Sequence, residues 1–309
     1  MSQKIFQKFN ALQQLSALGV DIPTSFIIGR NNQSEIIRSL EAHAISDYWI
    51  VRAPREQKHL IKRPAYASAD LDSFLASVFS DQPGLKLLIT ELIPAIRSGI
   101  FFKGRDFIYC EHVPGALQSL ARDGVTPTRV LLELEGDISF IEANTPEFFY
   151  SWVGADLKTL SLTNEDPPNA IVDLMRNLVT LARSCPSLTL IEWVQASTQK
   201  LYGVDFKRSE VGFLGERKDI HDGLVNQRLI SMPNAGYKAL AAIEISSKGE
   251  VILIERPLYS YVIDGSAFSA SCVVLRKGGL LAHLIVECSH RQIPCIISPF
   301  LFTEKLATG

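Results

Sequence analysis

The sequence predicts a two-domain chain of mixed α/β and α+β class, and three observations carry that reading. The 309 residues are 47% hydrophobic, enough for two cores of ordinary size. Helix-like and strand-like segments alternate up to about residue 85, then give way to a run of short apolar strands typical of an antiparallel sheet. Beyond a stretch of mixed charge at 209–235, strand-like segments resume around a Gly-Gly turn that leads into a helix.

In chain order, Phe9, Leu12, Leu15 and Leu18 recur at intervals of three and predict a helix ending at Gly19. A strand over Ser25 to Ile28, a helix over Ser34 to His43 and a buried strand over Tyr48 to Val51 follow, the last ending at Arg52. Short strands are expected at Leu87 to Thr90, Gly99 to Phe102, Phe107 to Cys110, Arg129 to Leu134 and Ile138 to Glu142, forming one antiparallel meander. After Pro167-Pro168 a helix runs over Ala170 to Ser184. A hairpin of Leu188 to Val194 and Lys200 to Phe206 closes the first domain. Residues 209–235 carry several glycines and a proline with little periodicity, which predicts a linker or hinge. The expected organisation is therefore 1–208, a linker over 209–235, and a small α/β domain over 236–309. The small domain has strands at Ala239 to Ile245, Val251 to Ile254, Ser271 to Leu275 and Cys295 to Ile297.

Composition narrows the function classes. A formal charge of −2 offers no broad attraction to nucleic acid or to an anionic membrane. Five cysteines contain no C-x-x-C pair, so free thiols in a reducing cytoplasm are expected. The N-terminus lacks the apolar core of a signal peptide, and no charge-free apolar run reaches the ~18 residues of a membrane span.

The chemistry concentrates in two places. The turn Lys277-Gly278-Gly279-Leu280-Leu281-Ala282-His283 follows an apolar strand and delivers an imidazole to a helix start. A neutral imidazole with an ordinary pKa near ~6.5 can attack a phosphoryl group at neutral pH. The amides of Gly278, Gly279 and the helix start could hold the anionic oxygens. The second place is the hairpin with Glu192, Asp205 and Lys207, joined by Lys8 and Arg52. Together these supply cations for a triphosphate of about four negative charges and carboxylates for Mg²⁺. No P-loop and no Ser-His-Asp arrangement is visible.

The pattern Gly-Gly-x-Leu-Ala-His, with Ile293-Pro294 ten residues on, resembles the phosphohistidine motif of the phosphoenolpyruvate-utilising enzymes, the pyruvate phosphate dikinase-like family. Ala282 stands where that family commonly has Ser, and Ser289 where it has Arg. The N-terminal part is similar to the ATP-grasp half of the same enzymes through Lys8-x-x-x-Leu12-x-x-Leu15 running on to Gly19-x-x-Ile22-Pro23. Val51-Arg52 and the Ser98-Gly99-Ile100 strand also match, as do Glu111, Gly115, Gly124, Thr126 and Pro127. Ala53-Pro54 replaces two serines. In the segment Leu190-Ile191-Glu192-Trp193 to Lys207, which is similar to that family's hairpin, Leu190 replaces an acid, Asp205 a Gln and Lys207 an Arg.

The resemblance implies an ATP-grasp-like domain followed by a small α/β phosphohistidine swivelling domain. It further implies an ATP-dependent phosphotransferase that moves a phosphoryl group from Mg-ATP through His283 to an unidentified acceptor. Lys8, Arg52 and Lys207 would hold phosphates, and Glu192 and Asp205 would hold Mg²⁺. A phosphoenolpyruvate-binding barrel is not expected in 309 residues, so a small molecule, or a partner protein bearing the acceptor site, is the expected recipient. Two other readings fit the same residues: a catalytically degenerate member that binds nucleotide or regulates, and an ATP-grasp ligase using an acyl phosphate for which His283 is dispensable.

Overall fold

The computed structural model describes residues 3–43, 46–135, 137–144, 146, 148–161, 168–208, 217–225, 229–232, 236–239, 251–258 and 260–297. Helix α1 (Gln3–Ala17) precedes a four-stranded antiparallel sheet of β1 (Ser25–Ile28), β2 (Tyr48–Arg52), β3 (Tyr66–Ala67) and β4 (Leu87–Glu91), in the order β1-β4-β2-β3. Helices α2 (Gln33–His43) and α3 (Ser68–Asp81) cover one face of it. Side chains alternate along β2: Trp49 and Val51 join that core, while Ile50 and Arg52 turn to the other face. Sequence reading missed α3, although Leu71, Leu75, Val78 and Phe79 form its buried stripe.

The central layer is a six-stranded antiparallel sheet. Its strands are β5 (Ala95–Lys103), β6 (Phe107–Pro114), β7 (Thr128–Glu133), β8 (Ile138–Glu142), β11 (Thr189–Ala196) and β12 (Leu201–Arg208), in the order β12-β11-β5-β6-β7-β8. The short helix α4 (Gln118–Ala121) follows β6. A separate hairpin of β9 (Phe149–Val153) and β10 (Asp156–Leu160) and the helix α5 (Pro168–Arg183) precede β11. The expected single meander is thus divided, because β4 pairs with β1 and β2 and belongs to the first sheet.

Both faces of the central sheet are covered. Phe101, Ile108, Val130 and Trp193 pack with Leu174 and Leu178 of α5, while Phe102, Tyr109 and Leu131 face the C-terminal part. Burial on both faces accounts for the consecutive apolar residues Ile100 to Phe102 in β5 and Phe107 to Cys110 in β6, where a half-exposed strand would alternate.

The C-terminal unit is a five-stranded sheet in the order β14-β13-β17-β16-β15. Strands β15 (Val251–Ile254), β16 (Cys272–Leu275) and β17 (Cys295–Ile297) run parallel. Strands β13 (Leu229–Met232) and β14 (Gly236–Ala239) add to β17 in antiparallel fashion. Parallel neighbours require crossover connections, and α7 (Ser260–Asp264) and α8 (His283–His290) lie in them. Helix α6 (Arg217–Val225) and β13 fall inside the stretch expected to be a linker, which corrects that expectation for residues 217–225 and 229–232. Ile220 and Leu224, four residues apart, form the buried face of α6. Three apolar residues, Ile220, Leu224 and Val225, among the charges of a nine-residue helix were too few to register as a period. Residues 240–245 of the expected strand Ala239 to Ile245 lie outside the described residues.

The core between the central sheet and the C-terminal unit is continuous. It joins Phe102, Tyr109 and Leu131 with Ile220 and Leu224 of α6 and with Val273, Leu284 and Ile285. Among the described residues no helix is long and apolar enough to cross a membrane.

Candidate functional site

A cleft of about 380 Å³ opens where the first sheet, the central sheet, α1 and the start of α8 meet. This lies within the size range of small-molecule sites, roughly 300–1,000 Å³. Leu12, Ile50, Ile93 and Val194 give it apolar walls, and Lys8, Arg52, Arg122, Glu192 and His283 give it charge.

Each charged group is delivered by a distinct element. Lys8 lies on α1 in line with Leu12 and Leu15, whose burial against the central sheet fixes the rotation of the helix. Gly203 lets that helix approach, since a Cβ there would meet Leu15 and Val20. Arg52 ends β2 on the face away from the α2/α3 core, and its Nη1 donates to Thr90 Oγ1 at 3.3 Å.

Glu192 and Asp205 are cross-strand partners on β11 and β12, so their carboxylates share one face. A bulge between Glu192 and Trp193 leaves Val204 as an extra residue. Asp205 then pairs with Glu192 while Gly203 pairs with Trp193. The Lys8 ammonium sits between the two carboxylates, 2.5 Å from Asp205 Oδ2 and 3.8 Å from Glu192 Oε2. Burial pushes the Glu192 carboxyl up, but the charges of Lys8, His283, Lys207 and Arg52 together hold it below the ordinary carboxylate value.

The sequence places His283 as the first residue of α8, with Ala282 in extended backbone before it. Leu284, Ile285 and Cys288 bury the opposite side of the helix in the shared core, which leaves the imidazole half-buried at the cleft. Burial holds His283 below its ordinary pKa. Glu192 pulls it up, and Lys207, Arg122 and Lys8 push it further down. The group is therefore neutral at neutral pH, the state in which a ring nitrogen carries a free electron pair.

The turn before His283 is held from the central sheet. Gly278 has φ of 131°, a conformation that favours glycine, and a Cβ there would strike Pro257. A Cβ on Gly279 would strike the Glu111 carboxylate. The amides of Leu280 and Leu281 both donate to Glu111, the second at 3.0 Å to Oε2. Arg129 donates to the Gly278 carbonyl and pairs with Glu142 at 2.8 Å.

Lys8, Arg52, Glu192 and His283 thus come together in one cleft, with Asp205 joined to it through Lys8. Lys207 is exposed on β12 and acts on Glu192 and His283 through its charge. The expectation for Gly278 and Gly279 is corrected: neither lines the cleft, because Pro257 and Glu111 occupy the space beside them.

Among the cleft residues that sequence reading missed are Arg122, at the end of α4, and Trp152 on β9. Among the described residues no group of three His, Cys, Asp or Glu side chains could hold a metal by itself. Glu192 and Asp205 do form a two-carboxylate site with a cation between them. A divalent ion there would need its remaining oxygens from phosphate and water.

No protein-family model matches this chain, and no curated protein matches it. Solved structures do match over part of their length. VanG D-Ala:D-Ser ligase from Enterococcus faecalis is 13% identical with a TM-score of 0.34, over 65% of this chain and 51% of that one. N5-carboxyaminoimidazole synthase from Aspergillus clavatus is 11% identical with a TM-score of 0.35, over 68% and 46%. The ATP-grasp ligase PsnB is 10% identical with a TM-score of 0.35, over 71% and 60%. The chain spans about half the length of the solved structures it matches. With likeness this slight, the functional reading rests on the geometry of the cleft.

Proposed function

We propose that this chain is an ATP-dependent phosphotransferase of ATP-grasp type, in which His283 carries the phosphoryl group from Mg-ATP to an acceptor. The observation that supports it is the cleft shared by His283 with Lys8, Arg52 and Glu192, from three separate parts of the chain. A structural histidine would not need to face that set of charges.

The apolar walls suit a base, and Lys8, Arg52 and Arg122 suit a polyphosphate. Mg²⁺, held by Glu192 and Asp205, would neutralise phosphate charge once bound. Lys8, which here pairs with both carboxylates, would then be free to turn to the phosphates. A ring nitrogen of His283 donates its electron pair to phosphorus, and the N–P bond forms as the P–O bond to the departing phosphate breaks. The electron pair of that bond goes to the leaving oxygen, where Lys8 and Arg52 stabilise the charge. An acceptor oxygen then attacks the same phosphorus, the N–P pair returns to the imidazole, and the acceptor proton leaves to solvent.

The shared core bears on delivery. Separating the C-terminal unit would expose side chains such as Phe102, Leu131, Val273, Leu284 and Ile285. At about 1.5–3 kcal/mol each, their exposure costs on the order of 10 kcal/mol, comparable to the whole stability of a domain. The acceptor therefore enters the cleft after the nucleotide leaves, and His283 stays docked.

The test is incubation with β- or γ-labelled ATP, wild type against His283→Ala. Acid-labile, base-stable label on the wild type alone supports the reading. A γ-label on the protein accompanies ADP as product, and a β-label accompanies AMP, with the γ-phosphate passing to water as inorganic phosphate. ATP turnover that survives in His283→Ala would mean ligation through an acyl phosphate instead, and absence of both label and ATP binding would mean a degenerate site.

A further inference from the structure

The two amides that follow the Gly-Gly pair, those of Leu280 and Leu281, are engaged by an anion belonging to the protein. Glu111 on β6 is fully buried, and its carboxylate accepts from Leu280 N and Leu281 N as well as from the Tyr109 hydroxyl at 2.7 Å. Arg129 Nε stands 3.9 Å from it, and the same guanidinium donates to the Gly278 carbonyl. The turn is thereby tied by donors and acceptors on both sides, two residues before the imidazole.

Packing alone does not require this. A buried carboxylate is costly unless hydrogen-bonded and paired, and an apolar residue would fill a core position between sheet and turn without that cost. Burial raises the Glu111 pKa, against the opposing pull of Arg129, Tyr109 and the two amides. What the carboxylate adds is direction: two parallel bonds to successive amides fix the orientation of the peptide that leads into His283.

We propose that Glu111 is the positioning residue for phosphoryl transfer, an internal anion seated in the amides before His283 that fixes the imidazole at the cleft. This rests on the phosphotransferase reading for its role, though the contact itself is independent of it. Glu111 does not line the cleft, so its loss affects the reacting geometry and leaves nucleotide binding intact. The phosphoryl oxygens on His283 are then met by the cleft cations, Arg122 among them, and the Leu280 and Leu281 amides take no part.

The test uses the full-length chain in two variants. Glu111→Gln keeps the shape and removes the charge; Gly279→Ala keeps the charge and pushes it out of the turn. The His283 ring is followed by NMR titration without nucleotide, its resonance assigned with His283→Ala. The groups facing it, Glu192, Lys207, Arg122 and Lys8, are unchanged in both variants. The rate of histidine labelling is read across ATP concentrations.

The proposal expects the His283 pKa to rise toward the ordinary ~6.5 in both variants. The labelling rate at saturating ATP should fall about tenfold or more, with the half-saturating ATP concentration unchanged. A titration and a rate like the wild type's in both variants would overturn it. If the titration moves but the wild type takes no label, the positioning role stands and the phosphotransferase reading fails.

Discussion

His283 is useful as a nucleophile only while its ring is neutral, and the cleft favours that form. Burial and the charges of Lys207, Arg122 and Lys8 outweigh Glu192, so the folded pKa lies below the ordinary value. The unfolded chain therefore takes up this proton first as pH falls. The contribution of neutral His283 to stability is complete above ~6.5 and is lost as pH drops from there through the lowered folded value. Labelling should accordingly be flat through pH 6.5 and decline only below it, and Arg122→Ala should move the decline to higher pH. A pH–rate profile on both proteins checks this, and an inflection at or above 6.5 in the wild type contradicts it. Lys8, Arg52, Glu192 and His283 were legible in the sequence because each sits in a spaced pattern. Arg122 was not, since a basic residue at a short helix end looks like any solvated terminus. Glu111 matched the family's motif only as part of the fold, because its partners Leu280 and Leu281 are about 170 residues away and an apolar run surrounds it.

Elements place these groups through packing. Helix α8 has two faces: Leu284, Ile285 and Cys288 anchor it in the shared core and so aim His283 outward. Leu284→Ala should cost about 2–5 kcal/mol, as for other buried leucines. It should also reduce labelling, with chemical denaturation measuring the first effect and the labelling rate the second. A destabilised protein with unchanged labelling would mean that the helix is not what aims the ring. Most strand positions were legible from apolar runs and turn residues. The partition of those strands between two sheets was not, because β4 and β5 are close in sequence and pairing is decided by contacts outside that window. Leu190 follows the same logic. The resemblance implies an acid there, but the side chain packs against the core shared with the C-terminal unit, where an apolar residue belongs.

At the scale of the whole molecule, the central sheet is a middle layer. Helix α5 and part of α1 cover one face, and the C-terminal unit covers the other. The expected hinge contains a helix that contributes Ile220 and Leu224 to that second core, so the two expected domains meet through a buried apolar joint. The cleft and the histidine are consequently parts of one body, so the proposed transfer between them would be intramolecular. A single-turnover experiment with Mg-ATP and no acceptor, followed by peptide mapping of the adduct, tests this most directly. The account predicts one phosphoryl group per chain, on His283, formed with a first-order rate constant that does not change with protein concentration. An adduct on another residue, or no adduct with ATP bound, would contradict it.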